Sequence, residues 1–343
     1  MTLGQRVLFG SGRAAAYLAA EVRRVGAGRV MVVASNGELA GRVCRDVAVV
    51  HRFGDVAQHV PVETARAARA AAAEHGADLL VSVGGGSATG LAKAVALTTG
   101  IPVVAVPTTY AGSEATNVWG LTEGRTKTTG VDDRVLPVSV IYDAALTTSL
   151  PVGLSVASGL NALAHCVDSL WAPRADPINL AMALEGARAL ALALPGVVRD
   201  RKDLKAREQA LYGCYLAAVA FASAGSGLHH KICHVLGGTF GLPHAETHAV
   251  VLPHVLALNA PAVPAKAARL AAALAGGSDD AVTALGRLYE TLGAPRTLDL
   301  AEADVPEAVA GILRAVPAGN PVPVTEEAVT ALLSRARAGS AWR

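Results

Sequence analysis

Histidines carry the chemistry of this chain, and their spacing indicates its kind. Most of the ten histidines fall between His165 and His254. Asn161 and His165, in SGLNALAHCVDSL, are four residues apart, as are His230 and His234 in GLHHKICHVLGGTFGLPHAETH. His244 follows His234 by ten residues, directly after Pro243, where a loop is expected. On a helix an i, i+4 pair shares one face. Two such pairs and a loop histidine can converge on a metal ion or a small substrate. A single histidine on an alanine-rich helix is a core or interface residue by default. Five positions at this spacing point to a site.

A second constellation lies upstream. DLLVSVGGGSATGLAKAVAL places Gly84, Gly85, Gly86 and Ser87 after an apolar run and at the start of a helical one. Glycines let a backbone approach a phosphate, and a helix start adds unpaired N–H groups and partial positive charge. A pyrophosphate is the natural guest. The loop matches neither the GxxxxGK[ST] nor the GxGxxG pattern, and a tight strand–helix turn is the competing reading. The next strand ends in VPTTYAGSEAT, where Thr108, Thr109 and Ser113 supply hydroxyls at the sheet edge that binds ligands in open α/β folds. Ser35 and Asn36 follow the strand at 29–34. An acidic residue there would select NAD through the ribose 2′-hydroxyl. None is present, so both NADH and NADPH are expected to be accepted.

The elements that must hold these residues read clearly in the first half. Residues 29–34, 47–51, 78–83, 102–106 and 138–142 are apolar strand-like runs, separated by helical stretches at about 13–25, 38–45, 62–76 and 87–99. Apolar strands alternating with helices predict a parallel sheet covered on both faces. That is an α/β nucleotide-binding domain over residues 1–150. From Pro151 the strand signal stops. Residues 151–343 read as an all-helical domain broken at Pro177, Pro195, Pro243, Pro261, Pro295 and Pro306. A chain of 343 residues suits two domains.

Composition excludes some classes. The formal net charge is +2 and no long basic run occurs, which argues against nucleic acid. The most apolar stretch, LAMALEGARALALALPGVV, carries Glu185 and Arg188, which argues against a membrane span. The first residues lack a basic-then-apolar signal pattern. Cys44, Cys166, Cys214 and Cys233 are scattered without a CxxC pair, so a reduced cytoplasm is the expected compartment.

In this order, GGGSxxxxAK, PTTxxGSE, the NALxH helix and HxxxHxLGGxxxxPH resemble the iron-containing alcohol dehydrogenase family, within the dehydroquinate-synthase-like fold. The likeness runs from about residue 5 to NPVPVTEEAVTALLSRA. VPTTYAGSEATNVWGLTEGRTKTTG, SGLNALAHCVDSL and HHKICHVLGGTFGLPHAETHAVVLPH look like the branch that reduces the carbon–carbon double bond of maleylacetate to 3-oxoadipate with NADH or NADPH. In iron-dependent members an aspartate and three histidines hold the ion. Here those positions are Asn161, His165, His230 and His244. An amide is a weak neutral ligand, and the resembling branch works without metal, so no catalytic metal is expected. Gly90 replaces an aspartate usual in the family.

Conjugate reduction spreads charge through an enolate onto a ketone oxygen. Imidazole N–H groups can stabilise that oxygen and return a proton. A dicarboxylate substrate also needs cations. His165, His230, His234 and His244, some of them protonated near neutral pH, are expected to supply them. Lys231, between His230 and His234, is the best single cation candidate, against the reading of a solvated surface lysine. The resemblance implies that Lys127 contacts the nicotinamide ribose, and it implies a homodimer. Trp119, Tyr110 and Cys233 stay open between cleft and packing roles, and Lys93 reads as structural. The competing functions are a metal-dependent alcohol or polyol dehydrogenase, a cyclase that recycles its NAD, an enzyme acting on another unsaturated keto acid, and a sensor without turnover.

Overall fold

The structure, a computed structural model, describes residues 4–124, 126–274, 278 and 280–342. The chain folds as two compact units, Met1–Leu150 and Pro151–Arg343.

In the first unit the chain runs β1 (Arg6–Phe9), α1 (Ala14–Val25), β2 (Val30–Val33), α2 (Gly37–Val43), β3 (Val49–Phe53), α3 (Val62–Glu74), β4 (Leu79–Gly84), α4 (Gly86–Thr99), β5 (Val103–Pro107), β6 (Val118–Glu123), β7 (Thr126–Val131) and β8 (Ser139–Tyr142). Six strands form a wholly parallel sheet in the order β1-β8-β5-β4-β2-β3. β2, β4 and β5 are apolar apart from the buried Ser82 of β4, because both sheet faces are covered, one by Leu18, Leu39, Ala40 and Val43, the other by Ala65, Ala68, Leu91 and Val95. β6 and β7 form a separate antiparallel hairpin. The strand order reverses between β2 and β4, and a ligand crevice is expected at the carboxyl ends there. The strands and helices predicted there all form, with ends shifted by no more than two residues. β1 is an addition: RVLF is short, lies at the sheet edge and is only half-buried.

The second unit is helical among its described residues. It comprises α5 (Val152–Ser169), α6 (Pro177–Arg199), α7 (Leu204–Ala224), α8 (Leu228–Phe240), α9 (His244–Asn259), α10 (Pro264–Ala273), α11 (Ala281–Leu292), α12 (Val305–Ala315) and α13 (Glu326–Ala338). α5 is buried along nearly its whole length against α6, α7 and α9. α8 packs on α9 and α12, with Ile232, Leu236, Val251, Val255 and Ile312 in the shared core. By length and composition alone α6 is apolar enough to cross a membrane. In this fold its Ala183, Ala187, Leu190 and Leu194 are buried, and Glu185 and Arg188 pair on its outer side at 2.6 Å.

Two expectations need correcting. Pro195 does not break a helix: it sits inside α6, one turn from the end at Arg199, where few backbone bonds depend on its missing N–H. His244 is not on a loop: it opens α9, because Pro243 cannot continue a preceding helix but suits the N-cap position.

Candidate active site

In the first unit the predicted cofactor residues gather at the carboxyl edge of the sheet. Gly84 ends β4 with a φ of 155°, a conformation that L side chains rarely adopt. Gly85 is the N-cap of α4 and brings no capping side chain, so the first-turn amides of α4 have no side-chain acceptor at Gly85. Gly86 and Ser87 form the first turn itself. The Thr108 N–H donates to the Gly84 carbonyl at 2.9 Å and ties the two strand ends together. A Cβ on Gly85 would sit 2.9 Å from the Thr109 methyl, and one on Gly86 would sit 3.3 Å from Ala111. The glycines are therefore needed for packing of the Thr109 turn as well as for any approach of phosphate. A glycine-only turn over an uncapped helix start, at the reversal of strand order, fits a dinucleotide pyrophosphate.

Beside it, Ser35 and Asn36 are exposed after β2. The Asn36 side chain caps α2, its oxygen accepting the Leu39 N–H at 2.9 Å, which leaves its amide nitrogen for other work. Ser113 begins a short 3-10 turn that Lys93 holds. The Lys93 ammonium, fully buried, donates to the carbonyls of Ser113 at 2.5 Å, Thr116 at 2.7 Å and Val118 at 2.9 Å, and to the Thr116 hydroxyl at 3.1 Å. Burial pulls the amine down to about 7, and Glu114 opposes that pull. Three carbonyls and a hydroxyl, all acceptors, favour the charged form. Lys127 lies on β7, opposite Thr122, and is half-buried; burial lowers its amine. Tyr110 is core, at 0% exposure, and Trp119 lies across Gly130 of the hairpin. A Cβ at Gly90 would stand 3.0 Å from Val60, so the turn before α3 occupies that space.

In the second unit α5, α8 and α9 bring the histidines together. His165 and His230 stack with ring centres 4.9 Å apart, and Phe221 of α7 lies against both, at 4.8 and 4.2 Å. His234 is half-buried one turn along α8, its ring 6.2 Å from that of His230. His244 is exposed and stands 4.5 Å from His248 on α9. Asn161 is buried on α5, and its side-chain oxygen has no hydrogen-bond partner. Lys231 is half-buried on α8.

Sequence reasoning missed the partners of this group. Asp168, three residues after His165, lies 2.7 Å from the His230 Nδ1, and its same Oδ2 accepts the Gly227 N–H at 2.9 Å. Asp168 shares the helix face of His165, which was the available signal. His229 and His248 meet at 2.9 Å between ring nitrogens, with the Cys233 sulfur 3.7 Å from His229.

Burial sets the electrostatics. It holds the His165 imidazole down to about 4. It also pushes His230 well below its ordinary range, with His165, His229, His234 and His244 adding to the effect. Burial pushes Asp168 up to about 7, against the backbone amides of His230, Gly227 and His229 that pull it down. The expectation that His165 and His230 serve as cations near neutral pH is therefore corrected: burial penalises the charged imidazole, and at His230 the neighbouring histidines add to that penalty.

The metal positions can be tested on their donors. Among the described residues, the one group of three His, Cys, Asp or Glu side chains with ligand atoms all within 4.8 Å of one another is His229, Cys233 and His248. His165, His230 and His244 do not form such a group, and Asn161 brings no charge. The residues at the family's iron positions do not fit a tightly held divalent ion.

Two family descriptions cover nearly all of the chain. Residues 4–144 match "iron-containing alcohol dehydrogenase", and residues 155–337 match "Fe-containing alcohol dehydrogenase family, C-terminal". The maleylacetate reductase of Sphingobium indicum is 48% identical over 98% of this chain and 96% of its own length. Among solved structures, an iron-containing alcohol dehydrogenase from Corynebacterium glutamicum superposes with a TM-score of 0.95 at 56% identity, covering 98% of this chain and 96% of that one. The maleylacetate reductase of Rhizobium sp. superposes with a TM-score of 0.90 at 44% identity, covering 98% and 97%.

Proposed function

This chain belongs to the iron-containing alcohol dehydrogenase family, an NAD(P)-dependent oxidoreductase family, and from that premise we propose that it reduces the carbon–carbon double bond of maleylacetate to 3-oxoadipate without a catalytic metal. Among the structural features, the donor set carries this reading. Asn161, His165 and His230 offer buried, neutral hydrogen-bonding groups where an alkoxide-forming dehydrogenase calls for a charged Lewis-acid site. The full-length likeness to maleylacetate reductases supports the substrate.

When bound, the nicotinamide supplies a hydride to the alkene carbon remote from the ketone. The first unit holds the dinucleotide through the α4 start and the Thr108–Thr109 turn, with Lys127 at the ribose. NADH and NADPH are both accepted on this reading, since Ser35 and Asn36, rather than an acidic residue, stand at the end of β2. The second unit manages the charge that moves to the ketone oxygen. His234 and the Asn161 amide donate hydrogen bonds to the enolate, and His234 returns the proton to carbon. Lys231, which keeps one side to solvent, balances a substrate carboxylate. A homodimer and a reducing compartment belong to the same proposal; the four free, buried cysteines support the second.

The test is NADH and NADPH oxidation by purified protein with maleylacetate and a panel of keto acids and aldehydes, before and after EDTA. Maleylacetate-dependent turnover that survives chelation is the expected result. Turnover of a simple aldehyde that EDTA abolishes and Fe²⁺ or Zn²⁺ restores would replace this reading with a metal-dependent alcohol dehydrogenase.

A further inference from the structure

One carboxylate at this site has two jobs, and neither was visible from the histidine pattern. Asp168 is on α5 and fully buried. Its Oδ2 accepts the N–H of Gly227, the N-cap of α8, at 2.9 Å, and the His230 backbone N–H at 3.4 Å. A helix that begins without a capping side chain of its own is thus closed by a side chain from another helix. The approach depends on glycine, because a Cβ on Gly227 would overlap the Asp168 carboxylate. The same Oδ2 lies 2.7 Å from the His230 Nδ1.

We infer that Asp168 is the positioning residue of this site, fixing His230 in the tautomer that carries its proton on Nδ1 and leaves Nε2 as a bare lone pair. Oδ2 faces the backbone N–H groups of Gly227 and His230, which favour the ionised carboxylate against its burial, so the hydrogen shared with His230 belongs to the nitrogen. Once Nδ1 donates, Nε2 is an acceptor; it is buried and has no hydrogen-bond partner among the described residues. Neighbouring rings hold the imidazole plane: His165 stacks at 4.9 Å, and Phe221 tilts against it at 4.2 Å. Position and tautomer are then both set from α5, which also carries Asn161 and His165. A histidine oriented by a carboxylate on one nitrogen and working through the other is a recurring chemical device.

The inference rests on the proposed reductase reading, and its consequence there is specific. His230 accepts a hydrogen bond at Nε2, so the donors to the enolate oxygen are His234 and Asn161. One Asp168 oxygen serves both contacts, so an amide with its oxygen at that place would still accept the Gly227 N–H and the His230 Nδ1–H. Asp168→Ala leaves neither N–H an acceptor and frees the ring proton to move to Nε2.

Three measurements separate the possibilities. Parent protein must first turn over maleylacetate; if it does not, the function reading fails whatever Asp168 does. In active protein, Asp168→Ala is expected to lower kcat by about 10² or more, as loss of a carboxylate behind a working histidine does elsewhere, while NADH affinity by fluorescence stays within twofold. Full kcat in the folded variant would overturn the inference. Independently of any variant, ¹⁵N shifts of His230 in the parent should show a protonated Nδ1 and a bare Nε2; the opposite pattern would also overturn it. Should Asp168→Ala fail to fold, that measurement on the parent still decides.

Discussion

At the scale of single residues, the site divides histidines by burial. His165 and His230 are removed from water and held neutral, whereas His234 and His244 keep contact with solvent and can exchange protons with it. On the proposed reading, the acid role falls to His234. His234→Ala should lower kcat on maleylacetate by about 10²–10³, the usual cost of losing one oriented donor. NADH affinity should be unchanged, since the dinucleotide residues are in the other unit. An unaltered kcat would move the role to His244 or Lys231. The histidine pairs are legible in sequence because i, i+4 spacing is a property of the helix itself. Asp168 is far less so: a carboxylate three residues after a histidine faces solvent as readily as a ring, and only the approach of Gly227 decides between them.

At the scale of elements, the loop from Ser113 to Val118 depends on one buried ammonium. Lys93→Met would leave the carbonyls of Ser113, Thr116 and Val118 without their donor inside a dry pocket. The expected loss is about 3–5 kcal/mol of stability, the usual cost of breaking a buried charged cluster from one side. Urea unfolding should report that loss, and NADH binding should weaken with it because Ser113 is displaced. Lys93→Arg should not rescue it, since a planar fork does not match four oxygens around one point. A variant as stable as the parent would show that water fills the gap. The parallel strands were readable because β2, β4 and β5 are covered on both faces and so are apolar without alternation. β1 was not, because an edge strand of four half-buried residues carries no such signature. Likewise Pro195 reads as a break, although a proline one turn from a helix end disturbs little.

At the scale of the whole molecule, buried imidazoles make stability depend on pH. Burial holds His165 down to about 4, His229 to about 3 and His254 to about 4, from an ordinary 6.5. His230 and His248 move the same way for the same reason. A depressed histidine contributes stability that is complete above 6.5 and is lost as pH falls toward 4, because the unfolded chain takes up the protons first. Asp168 runs the other way: raised from 3.8 to about 7, its contribution is present at low pH and lost as pH rises through that window. These five histidines oppose two buried carboxylates, Asp168 and Glu114, both raised by burial, so net stability should rise with pH. Urea midpoints should drop clearly from about pH 7.5 to about pH 5. A flat or reversed profile would mean that these rings gain solvent or a counter-charge in solution. The two-unit division is legible in sequence, since alternation of strand and helix stops at Pro151, whereas the burial of each ring depends on packing between α5, α8 and α9.

The order of strands in the sheet also has a consequence for biosynthesis. Arg6–Phe9 is made early, yet its one neighbour in the sheet is Ser139–Tyr142. The segment after it waits as well, because the Gly12 and Ala14 amides donate to the Asp143 carboxylate, 131 and 129 residues away. At about 5–20 residues per second of translation, the leading strand stays unmated on the ribosome for roughly ten seconds, until the last strand of its unit emerges. The first piece of the sheet to be synthesised is thus the last to be seated. A nascent chain halted before residue 139 would hold a four-strand sheet with its leading segment still open to protease or chaperone.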